Sequence, residues 1–556
     1  MRDSDWKSIA LLKEPFNDAL NYKSRKEKES LNEFFLRTEE LDKCLAPSTY
    51  FLMGEKGTGK TAYAVYLENN SINGFRCQTT TMTETQYKRF IELRKQGKLS
   101  YSDFANIWRS MLLFLVGRMV VHKSKSLVHH ITGKFSKLES EIKKWSRNAL
   151  NPEIESAFEA VISESLNAKL TAKEIGEAGA EKKTQNTEKI PQIRHHLLET
   201  ENGLKEAISS LTLADGHILF LDGIDYRPES VPYADYIECV KGLGEAVWQL
   251  NTEFFGSIRD SRGRIKVMLL VRPDVFHALN LYNSNSRLQD NTVFLDWTTN
   301  EREYRNSRLY ELSGKYFSTQ QISGVDPKEA WEHYYDEVKT NGAIFRRLLR
   351  STFQKPRDIL TFVRMTRQAV LNSGVGASSV FPPDVTSSSA LSRNFSDYLL
   401  GEVRNYASFY MTQIDFTQYM KFFQFLNGKS RFNFSDFELV FNKFKEWSDG
   451  ETIKARDFLR DPEALLQFFY DVNVIGYSEM VSGGPNTGQA FHHWSYRERS
   501  LNNIAPKVKT AEMFILNSGI AKALDIGLAS RNDGQSKNRR RPRPAPKKQS
   551  TRRRVG

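Results

Sequence analysis

With 556 residues, 39% of them hydrophobic and 12% aromatic, the chain is too long for one compact core and too apolar to be disordered, and it fits about three domains. Its formal charge of +13 is concentrated at one end: residues 531–556 carry eleven Lys/Arg against one acid, Asp533, a charge of +10 that leaves +3 for everything before it. The basic balance therefore describes a tail and does not make the body a nucleic-acid surface. No uninterrupted apolar run approaches the roughly 20 residues of a membrane span. The charged N-terminus, MRDSDWKSIALLKEPF, lacks the apolar centre of a secretion signal. Cys44, Cys77 and Cys239 have the spacing of neither a disulfide framework nor a metal site. A soluble cytoplasmic protein with no membrane partner is expected.

Residues 1–29 read as polar and helix-compatible. Phe16, Asn17 and Tyr22 are candidates to pack on a nucleotide base, with ordinary packing as the plainer alternative. Residues 30–46 read as one helix, with Ser30 and Glu33 as a capping box and Leu31, Phe34 and Phe35 on one face. Then a short apolar strand, Tyr50 to Met53, runs into Gly54-Glu55-Lys56-Gly57-Thr58-Gly59-Lys60-Thr61-Ala62 and a helix-compatible stretch. This is G-x-x-x-x-G-K-T in the strand–loop–helix context of a phosphate-binding loop, and Gly54 through Ala62 are its nucleotide contacts. The glycines let backbone N–H groups turn toward an anion. Lys60 supplies a cation at the β- and γ-phosphates and Thr61 a hydroxyl for Mg²⁺. The following helix points its positive end at the phosphates.

Ile72–Met82 reads as a second strand. Residues 84–210 read as a mainly helical insertion, with Trp108, Met111, Leu112, Leu115 and Met119 at helical spacing and an exposed middle near 165–192. Gly216–Asp225 (GHILFLDGID) is a buried parallel strand of the Walker B kind. It ends on Asp222, placed to hold Mg²⁺ with Thr61. Asp225 is the candidate general base or water-positioning group, with a helix N-cap as the alternative. Residues 232–257 read as an amphipathic helix, with Tyr236, Val240, Leu243, Val247 and Leu250 on one face. Arg259, Arg262 and Arg264 precede the strand Ile265–Val271. They are candidates for an arginine finger acting on a neighbouring copy, against a solvated basic turn. Arg272, at the end of that strand, stands where a γ-phosphate sensor belongs. Val293–Asp296 reads as the last core strand.

Residues 299–371 read as a helical lid over a core spanning 1–298. Pro356 starts a helix whose first turn carries Arg357, a second sensor reaching over the nucleotide, or else a salt-bridge partner. Residues 372–392 read as a Gly/Ser/Pro-rich linker. Residues 393–510 read as a winged-helix-like domain: aromatic-rich helices, a candidate recognition helix DPEALLQFFYDV that is acidic rather than basic, and a two-stranded hairpin. His492 and His493, adjacent on a strand, face opposite sides and make a poor metal pair. A C-terminal helix is expected over 511–528. A disordered basic tail follows over 529–556, whose Arg539–Arg554 segment is the candidate contact for nucleic acid.

The combination of YFLMGEKGTGKTA, LFLDGID, VMLLVRPDVF, KPRDIL and a winged helix resembles a bacterial group of P-loop ATPases related to the AAA+/Orc–Cdc6 and STAND classes, over about residues 15–500. The resemblance implies an α/β P-loop fold with a parallel sheet, helical insertion and lid, and Mg²⁺ and ATP as cofactors. It implies a switch that self-assembles as a homo-oligomer or recruits a separately encoded effector, as members of the broader classes do in antiviral defence. The alternative is a DNA-binding initiator or loader that grips duplex with its winged helix and tail. One departure stands out: Gly223 occupies the position where such ATPases usually carry the catalytic glutamate, so slow hydrolysis is expected.

Overall fold

A computed structural model describes residues 6–82, 101–124, 133–145, 189–259, 263–340, 342–480 and 490–526. Five strands form one sheet in the order β2-β3-β4-β1-β5, every neighbouring pair parallel. They are β1 (Phe51–Met53), β2 (Phe75–Thr81), β3 (Gly216–Asp222), β4 (Ile265–Val271) and β5 (Thr292–Phe294). The residues explain the layers. In β4 all seven side chains are buried, and alternation sends Ile265, Val267, Leu269 and Val271 to one face and Met268 and Leu270 to the other. Each such side chain contributes about 1.5–3 kcal/mol on leaving water. The first face packs on the helices Tyr101–Ser124 and Tyr233–Gln249. The second packs on Lys60–Asn69 and Glu39–Leu45. Lys266 interrupts the apolar second face. Its ammonium is satisfied by the carbonyls of Cys44 and Ala46, each at 2.6 Å, and burial pushes it down to about 8. The three cysteines are buried and free.

Tyr101–Ser124 carries Trp108, Met111, Leu112, Leu115 and Met119 into the core, and the Trp108 indole donates to the Cys239 carbonyl. Its stretch Phe104–Ser124 is, contrary to the expectation from sequence, long and apolar enough by composition to cross a membrane; here it lies mostly buried in the core beside the sheet. The expected exposed middle near 165–192 falls outside the described residues up to 188.

The sequence reading of 30–46 as one helix needs correction. There are two, Lys28–Phe34 and Glu39–Leu45. Ser30 lies inside the first and caps nothing. Phe35 leaves the helix to stack on Tyr66 at 4.0 Å, which draws the chain into an extended link. The helix after 232 is α-helical only to Gln249 and closes with a π turn over Leu250–Phe254.

Past β5, the helices Arg308–Ser318, Pro327–Tyr334, Ala343–Ser351 and Pro356–Asn372 pack with Ser389–Ala407, Phe434–Ser448 and Pro462–Asp471 in one continuous hydrophobic core, while Phe409 reaches into the core of the first sheet. The stretch 372–392 is correspondingly anchored. Phe381 is buried between the rings of Tyr334 and Tyr335, its amide donates to the Tyr334 carbonyl, a single helical turn follows over Pro383–Thr386, and the long helix after it starts at Ser389 under a Ser388 cap. A second, antiparallel sheet has the order β6-β9-β7-β8, from Arg431–Phe432, Met513–Leu516, Ile475–Met480 and Ala490–His493. Its strand β9 replaces the helix expected over 511–528. Met513-Phe514-Ile515-Leu516 is a short apolar run that both β6 and β7 hydrogen-bond, and the following Asn-Ser-Gly turns the chain away. The hairpin tip 481–489 and the tail from 527 lie outside the described residues.

Candidate nucleotide-binding site

The loop between β1 and the helix Lys60–Asn69 has the backbone its glycines predict. Gly57 and Gly59 sit at φ +90° and +97°, the left-handed region that side-chain-bearing residues avoid. A Cβ on Gly54 would lie 2.5 Å from the Thr58 hydroxyl. Two residues unmarked by any motif hold the loop. The Trp297 indole donates to the Thr58 carbonyl at 2.8 Å, and Leu295 closes over Gly54.

The loop opens on a cleft of about 270 Å³. Along one wall stand Gly57, Lys60, Thr61, Asp222 and Asp225, with Arg357 above them. Thr61 Oγ1 donates to Asp222 Oδ2 at 2.5 Å, across 161 positions of sequence. Lys60 Nζ donates to the carbonyls of Gly54 and Glu55 at 2.9 and 3.3 Å and lies 3.4 Å from Asp225 Oδ2. Asp225 Oδ1 is buried with no hydrogen-bond partner. Burial raises the Asp222 carboxyl above its ordinary value; the Thr61 hydroxyl pulls the other way and Asp225 adds to the rise. The donor set is a hydroxyl and carboxylates, hard oxygens that suit Mg²⁺, and the orphaned Asp225 oxygen adds an unused acceptor beside them. Gly223 adopts φ +86°, and a Cβ there would come within 2.8 Å of the Met82 carbonyl. The backbone itself thus disfavours the usual glutamate.

Much of the remaining lining is apolar and aromatic: Phe16, Tyr22, Leu31, Phe34, Tyr226 and Leu360. The Phe16 amide donates to the Tyr22 hydroxyl, and Asn17 accepts from Thr361 at 3.0 Å, tying the N-terminal segment to the lid helix. The lid helix begins at Pro356, and the Arg357 amide donates to the Gly57 carbonyl at 3.3 Å. The Arg357 guanidinium lies 3.3 Å from Glu402, so it lines the cleft and is salt-bridged at once.

Other predicted site residues lie elsewhere. Arg272 does not line the cleft. It is fully buried, paired with both oxygens of Asp274 at 3.0 and 2.6 Å and stacked 3.8 Å over the Tyr406 ring. Asp274 also accepts from Tyr410 at 2.6 Å. In this arrangement Arg272 joins the sheet to the helix Ser389–Ala407. Arg259 and Arg264 are exposed at the entry edge of β4, opposite the phosphate loop, and Arg264 donates to the Ile258 carbonyl; Arg262 lies outside the described residues. The helix Pro462–Asp471 buries Leu465, Leu466, Phe468, Phe469 and Tyr470, and Glu463 is its one fully exposed residue. His493 bonds Glu498 at 2.7 Å and lies 3.0 Å from Glu479, apart from His492.

The contact that sequence reasoning missed is Glu55. Its side chain is 5% exposed and meets Arg499, 4% exposed and 444 positions away, at 2.5 Å. Arg499 also donates to the Tyr406 hydroxyl, and Lys355 lies 3.9 Å from Glu55. Burial pushes the Glu55 carboxyl up, but Arg499 and Lys355 outweigh it and hold the group below the usual carboxylate range. Neighbouring Lys56 is pushed down to about 8, chiefly by burial. No motif signals an ion pair between a phosphate loop and a segment after the last helix; only a charged residue amid loop glycines hinted that Glu55 has a partner.

No family model matches the chain, and no curated protein matches it significantly.

Proposed function

We propose that the chain binds and hydrolyses ATP with Mg²⁺ and works as a molecular switch of the AAA+/STAND kind, whose nucleotide state governs self-association or the recruitment of a separate effector. The observation that carries this reading is the cleft itself, where Gly57, Lys60, Thr61, Asp222, Asp225 and Arg357 converge from three separate parts of the chain beside aromatic side chains of a size and chemistry suited to a base. In this reading Lys60 meets the β- and γ-phosphates, and loop amides cradle them. Thr61 and Asp222 hold Mg²⁺, which when bound neutralises charge on the phosphate oxygens. Asp225 orients the attacking water or accepts its proton. With glycine at 223, turnover is slow, which suits a switch better than a motor. The switch reading draws support from the loop's two ties to the helical half of the chain, Arg357–Gly57 and Arg499–Glu55. The antiparallel sheet and its helices fit a winged-helix module that docks rather than reads DNA, because the helix that would enter a groove turns Leu465, Leu466, Phe468, Phe469 and Tyr470 into the core and carries no Lys or Arg.

Calorimetric titration with Mg-ATP and Mg-GTP, paired with phosphate-release assays, tests the proposal. Lys60→Ala is expected to weaken ATP binding about a hundredfold or more, and Asp225→Asn to slow turnover without loss of binding. Undiminished ATP affinity in Lys60→Ala overturns the reading. Light scattering with a slowly hydrolysed ATP analogue is expected to report a change in assembly state.

A further inference from the structure

A second cavity, of about 530 Å³, lies between the lid helices and the C-terminal region. Its main wall is the helix Ala343–Ser351, which ends four residues before Pro356. Arg346, Arg347 and Arg350 line it from that helix, Lys522 from the segment after β9, and Phe362 and Phe395 from the two helices behind. None of its described lining residues is acidic.

The cations are not equally engaged. Arg350 forms a fork with Glu301, at 2.6 and 2.5 Å. Arg347 is half-buried, donates to the Thr386 carbonyl at 2.7 Å and sits 5.8 Å from the Phe362 ring. Among the described residues neither Arg347 nor Lys522 makes a salt bridge. The carboxyl whose field Arg347 feels is Glu337, which makes no salt bridge with it. A half-buried guanidinium with no carboxylate within salt-bridge distance among the described residues is a standing cost to the fold. An anion entering the cavity relieves it.

We propose that this cavity binds a small phosphorylated compound of about mononucleotide size, at a site separate from the ATP cleft. Guanidinium forks match phosphate oxygens in paired hydrogen bonds, which a lone ammonium does not provide. The Ser392 hydroxyl on the wall supplies a further donor for phosphate or sugar oxygens, whereas those of Ser351 and Ser518 are given to the carbonyls of Arg347 and Arg350. The edge-to-face pair Phe362–Phe395, with centroids 5.3 Å apart, gives the body of the ligand an apolar floor. The volume falls within the range of small-molecule sites, about 300–1,000 Å³.

The test uses the full chain carrying Lys60→Ala, so that the ATP cleft is disabled, titrated with inorganic pyrophosphate and with AMP. Both are expected to bind, and Arg347→Gln and Lys522→Glu are each expected to weaken binding about tenfold or more. In the otherwise unaltered protein, these two substitutions leave ATP affinity at the cleft unchanged. Lys522 is exposed, so Lys522→Glu keeps the test valid should Arg347→Gln disturb folding. Absence of binding by either probe at millimolar concentration, or binding that neither substitution weakens, overturns the proposal. Binding of a short 5′-phosphorylated oligonucleotide without binding of AMP also overturns it, since the patch would then be a nucleic-acid surface.

Discussion

Arg499→Ala isolates the contact between the loop after β1 and the segment that follows the helix Ser495–Glu498. It removes the guanidinium that neutralises a carboxylate 5% exposed and leaves Lys355, 3.9 Å away, as the remaining cation. Breaking a buried pair from one side costs about 3–5 kcal/mol, because the surviving charge stays desolvated. That is roughly two to three and a half powers of ten in the folding equilibrium. The pH dependence carries the sharper signature. In the native protein the Glu55 carboxyl is depressed, so its contribution is fully present above the ordinary carboxylate value and is lost only as pH falls through the lower, folded value. In Arg499→Ala burial prevails and the carboxyl rises above its unfolded value; the penalty is then full at neutral pH and shrinks on acidification. Urea unfolding followed by tryptophan fluorescence, at pH 7 and pH 5, is expected to find the variant several kcal/mol weaker at pH 7 and the gap narrowed at pH 5. Adding Glu55→Gln is expected to restore part of the loss at pH 7. A deficit below about 1 kcal/mol, within the range of an exposed pair, or one that is the same at both pH values, would refute the reasoning.

Three further outcomes follow from the site. Acidification weakens Mg²⁺-dependent nucleotide binding at a higher pH than an ordinary aspartate would, because burial raises Asp222 and its protonated form no longer holds the cation; titrations from neutral pH down to the ordinary aspartate range check this, and a loss that sets in only within that ordinary range contradicts it. Gly223→Ala costs about 1–2 kcal/mol for the left-handed backbone, plus the approach to the Met82 carbonyl, and Gly223→Glu fails to accelerate ATP turnover; a faster Gly223→Glu enzyme would show that the backbone there yields. Trp297→Phe deletes the 2.8 Å bond to Thr58 and lowers stability by about 1 kcal/mol, measured as a shift in the urea midpoint, with no shift arguing that the indole N–H is dispensable.

Local chemistry made part of this legible in the sequence. The glycines at 54, 57 and 59, the apolar run into Asp222 and the proline at 356 each carry a backbone or burial requirement readable within a few residues. What escaped was set by distance. The Glu55–Arg499 pair spans 444 positions, and nothing near either residue specifies the other. Arg272 occupies a sensor's place at the end of β4, yet an aspartate two residues on and an aromatic ring from another helix claim its guanidinium first. The strand Met513–Leu516 was hidden because four apolar residues fit a helix or a strand equally, and the vacancy between β6 and β7 decides between them. Residues 30–46 broke in two for a tertiary reason as well, the stacking of Phe35 on Tyr66.

The continuous core of the helical half has a mechanical corollary. Trp6, Ile9 and Leu12 belong to that core while Tyr22 and Leu31 belong to the sheet's; Leu36 reaches back into the first, and the chain crosses again at Asp296, between Leu295 and Trp297. Two of these crossings touch the cleft: Phe16 and Asn17 line it, and Trp297 grips the loop beside it. A nucleotide bound as proposed would sit beside the axle about which the two halves could turn. A small rotation there would hardly displace the ligand but would sweep the far end of the helical half through a wide arc, so that one phosphate more or less would be read out as leverage.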